Sequence, residues 1–380
     1  MKTSSLSTSL LFSKMILGLF LLIVASCKVT KPVKQAAYEN LGQSGGLTDP
    51  QIDSIAEVVS MFPNETQFSI AIINDGKLVF YGLERKEDKL HRVFNSNNVF
   101  ELGSLSKVFT TNLLINSVNE GKINLDGLVK EISSAKLKGN PDFTFRQLAN
   151  HTSGLPSIPS NMGTTIFNAD NPYAKCSETK LKTYLSEKLE LNGIPGEKYE
   201  YSNLGMGLLR YVLAEMKDTD YKTMLQRQIF DRLNMINTTA DRMAVKQNLV
   251  QGYNRNGKRT PYWDMGTLEG AAGIYSTTAD LAKYALWSFD ALNGELSLMK
   301  QMSFSVTPDT DIALGWHIIK NKTEKPFLWH NGGSGGFKTS MAIDPDKKTA
   351  VIVLTNVGAT FNSRKQLIDN LCFELMRSIE

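Results

Sequence analysis

The sequence predicts an α+β fold, in which strands from both ends of the chain share one antiparallel sheet around a mostly helical insertion. Residues 68–83 read FSIAIINDGKLVFYGL, two apolar, β-branched runs joined by Asn-Asp-Gly, which is the composition of a tight hairpin turn. Three further strand-like runs lie at residues 327–332, 338–345 and 348–356. Because the segments between these two groups show helical periodicity, we expect the strands of both ends to meet in space.

The composition is that of a soluble globular protein with a full apolar core. The chain has 380 residues, of which 42% are hydrophobic and 21% charged, and its formal net charge is +4. No basic stripe with interleaved aromatic residues occurs, so no nucleic-acid partner is expected. No Cys-x-x-Cys pair and no two histidines at metal-ligand spacing occur, so we expect no metal and no cofactor. For Cys176 and Cys372 two buried thiols are favoured over a disulfide.

The first 26 residues have the pattern of a secretory signal peptide. They contain two lysines, no acid, an apolar core at residues 15–25 that is too short to span a bilayer, and a small-residue end. That end, Val24-Ala25-Ser26-Cys27, resembles the lipobox of bacterial lipoproteins, which implies a lipid anchor on Cys27. A plain signal peptide with a chance cysteine is the alternative. The lipobox predicts a bacterial cell-envelope protein, periplasmic or surface-facing, that is tethered to a membrane rather than crossing it.

Beyond the signal peptide, residues 27–48 are polar and predict a flexible tether, and residues 49–380 are predicted to form one domain. Its α/β part is expected at about 49–103 and 300–380, and its helical part at about 104–299. Apolar residues at three- and four-residue spacing predict helices in both parts. The predicted helices are residues 49–59, 110–119, 179–189, 205–216, 278–289 and 364–379.

The stretch FELGSLSKVFT contains the first candidate for catalysis. Ser104 and Lys107 are three residues apart at a helix start, so they lie on one face, one turn apart. A lysine so placed can hold or relay a proton if burial or a neighbouring cation lowers its pKa. A serine at a helix start is equally a common cap. The spacing does not discriminate, because it also occurs at residues 133–136, 177–180 and 297–300.

The second candidate is Tyr201-Ser202-Asn203, in a turn just before a predicted helix. A tyrosine near two cations can titrate well below its usual pKa of about 10 and act as a base. The amide of Asn203 can bind both a substrate carbonyl and a lysine. Alternatively Tyr201 is a loop residue packed on the next helix, since Tyr-x-Asn also occurs at Tyr38 and Asn40.

The third candidate is HNGGSGGF, residues 330–337, between two strand-like runs. Glycines there allow a substrate backbone to lie close to the strand edge. A main-chain N–H near Gly333, together with that of Ser104, would then stabilise an oxyanion. His330 adds a polar or charged group. Taken alone, this segment is equally well explained as a Gly-rich loop.

In this order along the chain, the three candidates resemble the motifs of the class C β-lactamase family, which includes DD-peptidases, D-amino-acid peptidases and esterases. Four longer stretches extend the resemblance over nearly everything from about residue 50 to 380. The resemblance implies a β-lactamase/transpeptidase-like fold, an antiparallel sheet of five or more strands flanked by helices, with an inserted helical subdomain and the active site between them. The four stretches are residues 143–156, 195–209, 270–285 and 330–345.

The resemblance also implies roles for the matched residues. Ser104 would be the acylated nucleophile, and Lys107 and Tyr201 would share the proton transfers, with the choice of base left open. His151, in NHTSGLP, is interpreted as structural, because polar turn residues commonly cap backbone groups. The implied substrate-binding residues are Asn203, His330, Gly332 and Gly333.

The third motif departs from the Lys-Thr-Gly of penicillin-recognising enzymes, because His330-Asn331-Gly332 stands in its place. Lysine is a fixed cation at pH 7, whereas a histidine with a reference pKa near 6.5 is mostly neutral. This change weakens selection for carboxylate-bearing β-lactams and D-Ala-D-Ala tails. We therefore expect a monomeric serine hydrolase of an ester, amide or peptide substrate, for which cell-wall fragments are candidates. The alternatives are a β-lactamase or DD-peptidase and, from another class, a non-catalytic muropeptide-binding lipoprotein.

Overall fold

The computed structural model describes residues 46–162, 171–320, 325–358 and 366–379. The predicted signal peptide, Cys27 and nearly all of the predicted tether lie outside these residues. Among the helices that the structure describes, none combines the length and the apolar character that crossing a bilayer requires.

The N-terminal strands form the predicted hairpin and one further strand. The Asn-Asp-Gly turn joins the first two strands, with Asp75 and Gly76 at positive φ, the backbone region that such turns require. A short strand that follows the hairpin escaped prediction because its sequence, KLHRV, is polar. The strands are β1 (Thr66–Asn74), β2 (Lys77–Lys86) and β3 (Lys89–Val93), and a separate ribbon pairs β4 (Phe100–Glu101) with β5 (Tyr275–Ser276).

The C-terminal strands complete a single nine-stranded antiparallel sheet in the order β3-β2-β1-β11-β10-β9-β8-β7-β6. The two ends of the chain meet at the pairing of β1 with β11, which runs from Phe68 opposite Thr355 to Ile73 opposite Ala350. The predicted shared antiparallel sheet is confirmed. Three short strands at its far edge were not predicted. The C-terminal strands are β6 (Phe304–Thr307), β7 (Thr310–Ile312), β8 (His317–Ile319), β9 (Phe327–Gly333), β10 (Lys338–Asp344) and β11 (Thr349–Thr355).

Helices are the main regular structure in the described chain between β4 and β6, as the periodicity predicts. The predicted helix at 110–119 begins earlier, at Ser106, and the one at 179–189 gives way to a π-helical turn after Thr183. Within the described residues the helices are α1 (Asp49–Ser60), α2 (Ser106–Asn119), α3 (Val129–Ile132), α4 (Phe145–Ala149), α5 (Glu178–Thr183), α6 (Asn203–Met216), α7 (Tyr221–Leu225), α8 (Glu269–Ala272), α9 (Thr278–Trp287), α10 (Gly294–Met299) and α11 (Leu367–Arg377).

Helix α2 is the centre of the helical part, because every residue from Ser106 to Ser117 is buried. It packs against α6, α8 and α10, so side chains on all its faces are removed from water. Its polar residues must therefore find partners within the protein. This setting explains how a lysine near the start of the helix comes to be buried.

The two cysteines of the described chain are free and buried. Cys176 Sγ lies 3.2 Å from Thr267 Oγ1, and Cys372 Sγ lies 3.7 Å from the Val351 carbonyl oxygen. The structure therefore agrees with the prediction of two buried thiols rather than a disulfide.

Candidate active site

Ser104 lies in a 3₁₀ turn, Gly103–Leu105, that links β4 to α2. The segment containing β5 fixes this turn, since Leu102 N donates to Ile274 O at 2.9 Å and Ile274 N donates to Ser106 Oγ at 3.1 Å. The Ser104 side chain is half-buried, and neither this turn nor α2 receives a capping hydrogen bond from a side chain at its N-cap. Ser104 is therefore not a helix cap.

Lys107 lies on the first turn of α2 and is fully buried. Its Nζ is 3.3 Å from Ser104 Oγ, 2.8 Å from Asn203 Oδ1, 2.9 Å from Ala271 O and 4.6 Å from the centroid of the Tyr201 ring. Burial lowers the pKa of Lys107 well below its ordinary value, because the ammonium loses its hydration. A neutral amine suits these contacts: it donates to Asn203 and Ala271 and keeps its lone pair for the serine hydroxyl.

Tyr201 and Asn203 are positioned by the cap of α6, which lies between them. Ser202 Oγ accepts from the Gly205 N–H at 2.8 Å and donates to the Pro156 carbonyl at 2.7 Å. These bonds fix the helix start to the preceding loop. The structure thus brings together residues that lie almost 100 positions apart in sequence.

The titration of Tyr201 differs from the sequence-based expectation. Burial raises the pKa of Tyr201 above its ordinary value, and a hydrogen bond with Ser104 offsets this only in part. The expectation of a tyrosine with a lowered pKa is therefore wrong, because the loss of hydration on burial outweighs the hydrogen bond that favours the phenolate. These two shifts favour a resting pair of a protonated phenol and an unprotonated amine.

His151 has the structural position that the sequence predicts. It lies in the turn after α4 at φ +61°, and its Nδ1 accepts from the Ser202 N–H at 3.3 Å. Its ring lies 4.5 Å from the Tyr201 ring, centroid to centroid. Burial, with smaller effects from Lys107 and His317, lowers the pKa of His151 well below its ordinary value. The neutral imidazole of His151 therefore packs against the Tyr201 ring and helps to hold it in position.

The glycines of the third motif allow β9 to touch the Ser104 turn directly. Gly103 has φ +55°, and a Cβ on it would lie 2.5 Å from Gly333 N. A Cβ on Gly332 would lie 1.9 Å from Leu102 O and 2.8 Å from Ser104 N. Backbone meets backbone here because none of the three glycines carries a side chain. The main-chain N–H groups of Ser104 and Gly333 are thereby brought into one small region.

His330 and Gly332 share one face of β9, whereas Asn331 between them faces the other. Asn331 Nδ2 donates to Asp369 Oδ2 in α11 at 2.8 Å, so it belongs to the packing behind the sheet. His330 is 2% exposed, and its Nδ1 lies 2.7 Å from the Asn331 carbonyl oxygen, which places the ring proton on Nδ1. Burial, reinforced by nearby basic side chains, lowers the pKa of His330 well below its ordinary value. The third motif therefore brings no positive charge at neutral pH.

Four side chains at the site were missed from the sequence. Tyr199 Oη lies 3.4 Å from His317 Nε2, and the His317 ring is 5.4 Å from the His330 ring. Tyr173 Oη accepts from the side-chain amide Nδ2 of Asn203 at 3.4 Å. Glu101 lies three positions before the serine. Only Tyr199, two residues before Tyr201, carried a sequence signal, since alternate residues of an extended segment share a face. Within the described ranges, no group of three or more His, Cys, Asp or Glu side chains is arranged to hold a metal ion.

Solved structures with a similar fold include a β-lactamase/D-alanine carboxypeptidase from Pseudomonas syringae, with a TM-score of 0.73 and 19% identity over 87% of this chain and 98% of that one. A class C β-lactamase aligns with a TM-score of 0.70 and 20% identity over 87% of this chain and 97% of its own. At these identities the comparison shows the fold. The predicted β-lactamase/transpeptidase-like fold is therefore confirmed.

Curated relatives include the protein Flp of Staphylococcus aureus, 24% identical over 333 residues, which are 82% of this chain and 64% of Flp. The chain thus spans less than two thirds of the length of that relative. The D-alanyl-D-alanine-carboxypeptidase/endopeptidase AmpH of Escherichia coli is 24% identical over 360 residues, 87% of this chain and 91% of AmpH. The family model described as Beta-lactamase matches residues 63–371. With this match over most of its length, the chain belongs to the beta-lactamase family.

Proposed function

We propose that the protein is a serine hydrolase that works through an acyl-enzyme on Ser104. The observation that carries the proposal is the buried Lys107 amine, 3.3 Å from Ser104 Oγ and held by Asn203 and Ala271. Because burial lowers its pKa, this amine can accept the serine proton as the hydroxyl attacks. A protein that only binds its ligand has no need of such an acceptor, which argues against the muropeptide-binding alternative.

The proton transfers follow from the resting pair. Ser104 Oγ bonds to the substrate carbonyl carbon while its proton passes to Lys107 Nζ. The Tyr201 hydroxyl, hydrogen bonded to Ser104, donates its proton to the leaving oxygen or nitrogen and recovers one from Lys107. The bond to the leaving group then breaks. In deacylation a water gives one proton to the same pair while its oxygen bonds to the acyl carbon. The bond between that carbon and Ser104 Oγ then breaks, Oγ takes the proton back from the pair, and the acid is released.

The main-chain N–H groups of Ser104 and Gly333 are the proposed oxyanion donors. The direct backbone contact of Gly103 and Gly332 with the opposite segment supports this assignment, because it keeps the two amides close without intervening side chains. Amides fixed in this way stabilise the charge that develops on the carbonyl oxygen, without reorganisation during the reaction. Asn203 accepts from Lys107 Nζ through its Oδ1, and its side-chain amide is also proposed to bind a carbonyl group of the substrate.

The proposed substrate is an ester, amide or peptide that needs no cation for its recognition. Burial keeps His330 neutral and lowers the pKa of His317 to about 4, so neither ring is charged at pH 7. A free carboxylate beside β9 would then lack the charge-assisted bond that a lysine supplies. Cell-wall peptides cleaved at internal bonds satisfy this condition.

D-alanyl-D-alanine carboxypeptidase or β-lactamase activity is the second candidate. It is favoured by the similarity to AmpH, whose name states a carboxypeptidase and endopeptidase activity and which aligns with 87% of this chain. This candidate predicts that D-Ala-D-Ala peptides or a chromogenic cephalosporin turn over faster than nitrophenyl esters and internal peptide bonds.

Covalent labelling tests the nucleophile. The wild type, Ser104→Ala and Ser297→Ala are treated with a fluorophosphonate probe and analysed by intact mass and peptide mapping. Ser297 is the matched control, because it has the same Ser-x-x-Lys spacing but is exposed. We expect one label, on Ser104, in the wild type and in Ser297→Ala. A folded wild type that resists every acylating probe would contradict the proposal, and saturable peptide binding without turnover would favour the binding-protein alternative.

A substrate panel then separates the two candidate activities. Nitrophenyl esters, D-amino-acid amides, internally linked muropeptides, D-Ala-D-Ala peptides and a chromogenic cephalosporin are compared on the wild type and Ser104→Ala. Faster turnover of the neutral esters, amides or internal bonds supports the first candidate. The reverse ranking supports the second.

We also propose that residues 1–26 are a signal peptide and that Cys27 carries a lipid anchor at the bacterial cell envelope. The support is the lipobox-like sequence around Cys27. Metabolic labelling with an alkyne fatty acid, followed by cell fractionation, tests this for the wild type and Cys27→Ala. Label in the membrane fraction that disappears in Cys27→Ala is expected, and an unlabelled wild type would contradict the anchor.

Size-exclusion chromatography with light scattering of chains beginning at residue 28 tests the predicted monomer.

A further inference from the structure

Glu101 is a buried carboxyl group next to the site that the proposed mechanism does not use. Its side chain is 4% exposed and lies three positions before Ser104. One carboxylate oxygen, Oε2, accepts from Ser334 Oγ at 2.5 Å. The other, Oε1, accepts from the main-chain N–H of Trp263 at 2.8 Å. A buried acid costs free energy unless it is well paired, so its presence requires an explanation.

The two partners of Glu101 belong to different walls of the site. Ser334 directly follows Gly333, the proposed oxyanion donor, and its N–H donates to Phe337 O at 2.9 Å to close the turn between β9 and β10. Trp263 lies in the loop before α8, and its ring packs on that of Tyr173 at 5.3 Å between centroids. One carboxylate therefore joins the nucleophile segment, the oxyanion strand and the wall that contains Trp263.

Hydrogen bonds are important at this contact because the glycines that form it contribute no side-chain packing of their own. The contact between the Ser104 turn and β9 runs through Gly103, Gly332 and Gly333, which offer no side chains to hold the two segments in register. A buried carboxylate that accepts two hydrogen bonds supplies directional links in a setting of low dielectric constant. The link lies immediately beyond the glycine contact, at Ser334.

We propose that Glu101 is a positioning residue that fixes the Gly333 amide relative to Ser104 and thereby sets transition-state stabilisation. This inference rests on the proposed function, since it assumes acylation of Ser104. Glu101 touches no reacting atom. It acts through Ser334, and its removal is expected to weaken oxyanion binding while leaving ground-state binding of substrate nearly unchanged.

The pH dependence of activity offers a second test of the positioning role of Glu101. Burial raises the pKa of Glu101 to about 7, and the bonds from Ser334 and Trp263 and the charge of Arg242 offset this in part. The other titratable groups that interact with it are Tyr262 and Tyr275, whose pKa values burial raises, so both stay neutral near pH 7. The ionised carboxylate accepts both bonds most strongly. Activity should therefore rise as pH increases through about 7.

Kinetics on an activated ester test the proposal in the wild type, Glu101→Ala, Glu101→Gln and Ser334→Ala. We expect Glu101→Ala to lower kcat by about 10- to 100-fold with KM within about threefold, because a misaligned oxyanion donor should cost less than the roughly 10²- to 10³-fold of a deleted one. Glu101→Gln can still accept from Trp263 and donate to Ser334, so it should recover most of kcat but lose the inflection near pH 7. Ser334→Ala, which leaves Glu101 in place, should reproduce much of the loss in kcat and guards against misfolding of Glu101→Ala.

The outcomes separate this inference from the proposed function. Labelling of wild-type Ser104 is measured first, and its absence would contradict the proposed function itself. With labelling established, a folded Glu101→Ala or Ser334→Ala enzyme of unchanged kcat would overturn the positioning role. So would a loss confined to KM, or an inflection near pH 7 that persists in Glu101→Gln.

Discussion

Lys107 shows how one buried residue acquires its chemistry from its surroundings. Its partners, Asn203 and Ala271, lie 96 and 164 positions away in sequence, and burial by these and other segments lowers its pKa. Lysines in the other Ser-x-x-Lys matches differ. Lys300, for example, is exposed and pairs with Asp346 at the surface. The same Ser-x-x-Lys pattern therefore carries different chemistry, because Lys107 is buried away from water and Lys300 is not.

We predict that Lys107→Met lowers kcat/KM for an ester by a factor of about 10² to 10⁴, the range expected when a proton-transfer group is removed. Because the pKa of Lys107 is lowered in the folded state, wild-type activity should fall as pH decreases and the amine takes up a proton. Steady-state kinetics against pH measure both effects. Thermal unfolding checks that the variant is folded, since Met preserves the apolar stem but leaves Asn203 Oδ1 and Ala271 O without their donor. Full activity of a folded Lys107→Met enzyme would contradict the assigned base.

We predict that Tyr201 remains protonated throughout the neutral range, because burial raises its pKa. Ultraviolet difference titration of the wild type against Tyr201→Phe should show no tyrosinate absorbance from this residue between pH 6 and 9. The same variant should lower turnover by about 10²-fold or more through loss of the proton donor to the leaving group. A Tyr201-dependent tyrosinate signal near neutral pH would instead support the tyrosine as the base.

We predict that His330→Lys shifts specificity toward carboxylate-bearing substrates. The neutral imidazole gives no charge-assisted bond, whereas an ammonium at this strand position can pair with a carboxylate, worth about 1.5–3 kcal/mol or roughly 10- to 100-fold in kcat/KM. The ratio of kcat/KM for a D-Ala-D-Ala peptide to that for a neutral nitrophenyl ester measures the shift. His91→Lys serves as a control, because His91 is exposed on the edge strand β3. An unchanged ratio would contradict the specificity role of His330.

At the scale of elements, the site depends on how closely a strand can approach a turn. β9 contacts the turn Gly103–Leu105 through backbone atoms, and the alternation of β9 sends Asn331 to α11 and its neighbours toward the site. The sequence predicted both elements from their glycines and apolar runs. It also predicted that the amides of Ser104 and Gly333 act together, but not that the segments touch backbone to backbone through Gly103 and Gly332, because glycine-rich segments occur in many loops that touch nothing.

Gly332→Ala tests this contact. Its new Cβ would lie 1.9 Å from Leu102 O, so the strand and the turn must separate. We expect at least about 1–3 kcal/mol of destabilisation, typical of overpacking, together with a loss of kcat. Chemical denaturation and ester kinetics measure the two effects. Gly294→Ala is the matched control, since a Cβ added to Gly294 would meet no atom within 4 Å and its φ is not positive. Equal stability of both variants would show that the contact is loose.

At the scale of the whole molecule, the pairing of β1 with β11 closes one sheet from the two ends of the chain. Hairpin composition and apolar runs predicted five strands of this sheet, namely β1, β2, β9, β10 and β11. Apolar periodicity also predicted the terminal helix α11. The polar strand β3 and the short strands β6 to β8 were missed, because segments of three to five residues carry little periodicity. One missed strand, β8, contains His317, whose ring centroid lies 5.4 Å from that of His330. Because β8 was not predicted, His317 was not predicted as a residue of the site either.

The amino-acid sequence alone was enough to predict the α+β class, the longer helices and the order of Ser104, Lys107, Tyr201 and His330 along the chain. These follow from local composition, periodicity and spacing, which act over a few residues. The pKa shifts came only from the three-dimensional packing, in which burial lowers the pKa values of Lys107 and His330 and raises that of Tyr201. Each protonation state depends on desolvation by segments far away in sequence, and a short motif contains no information about what will cover it.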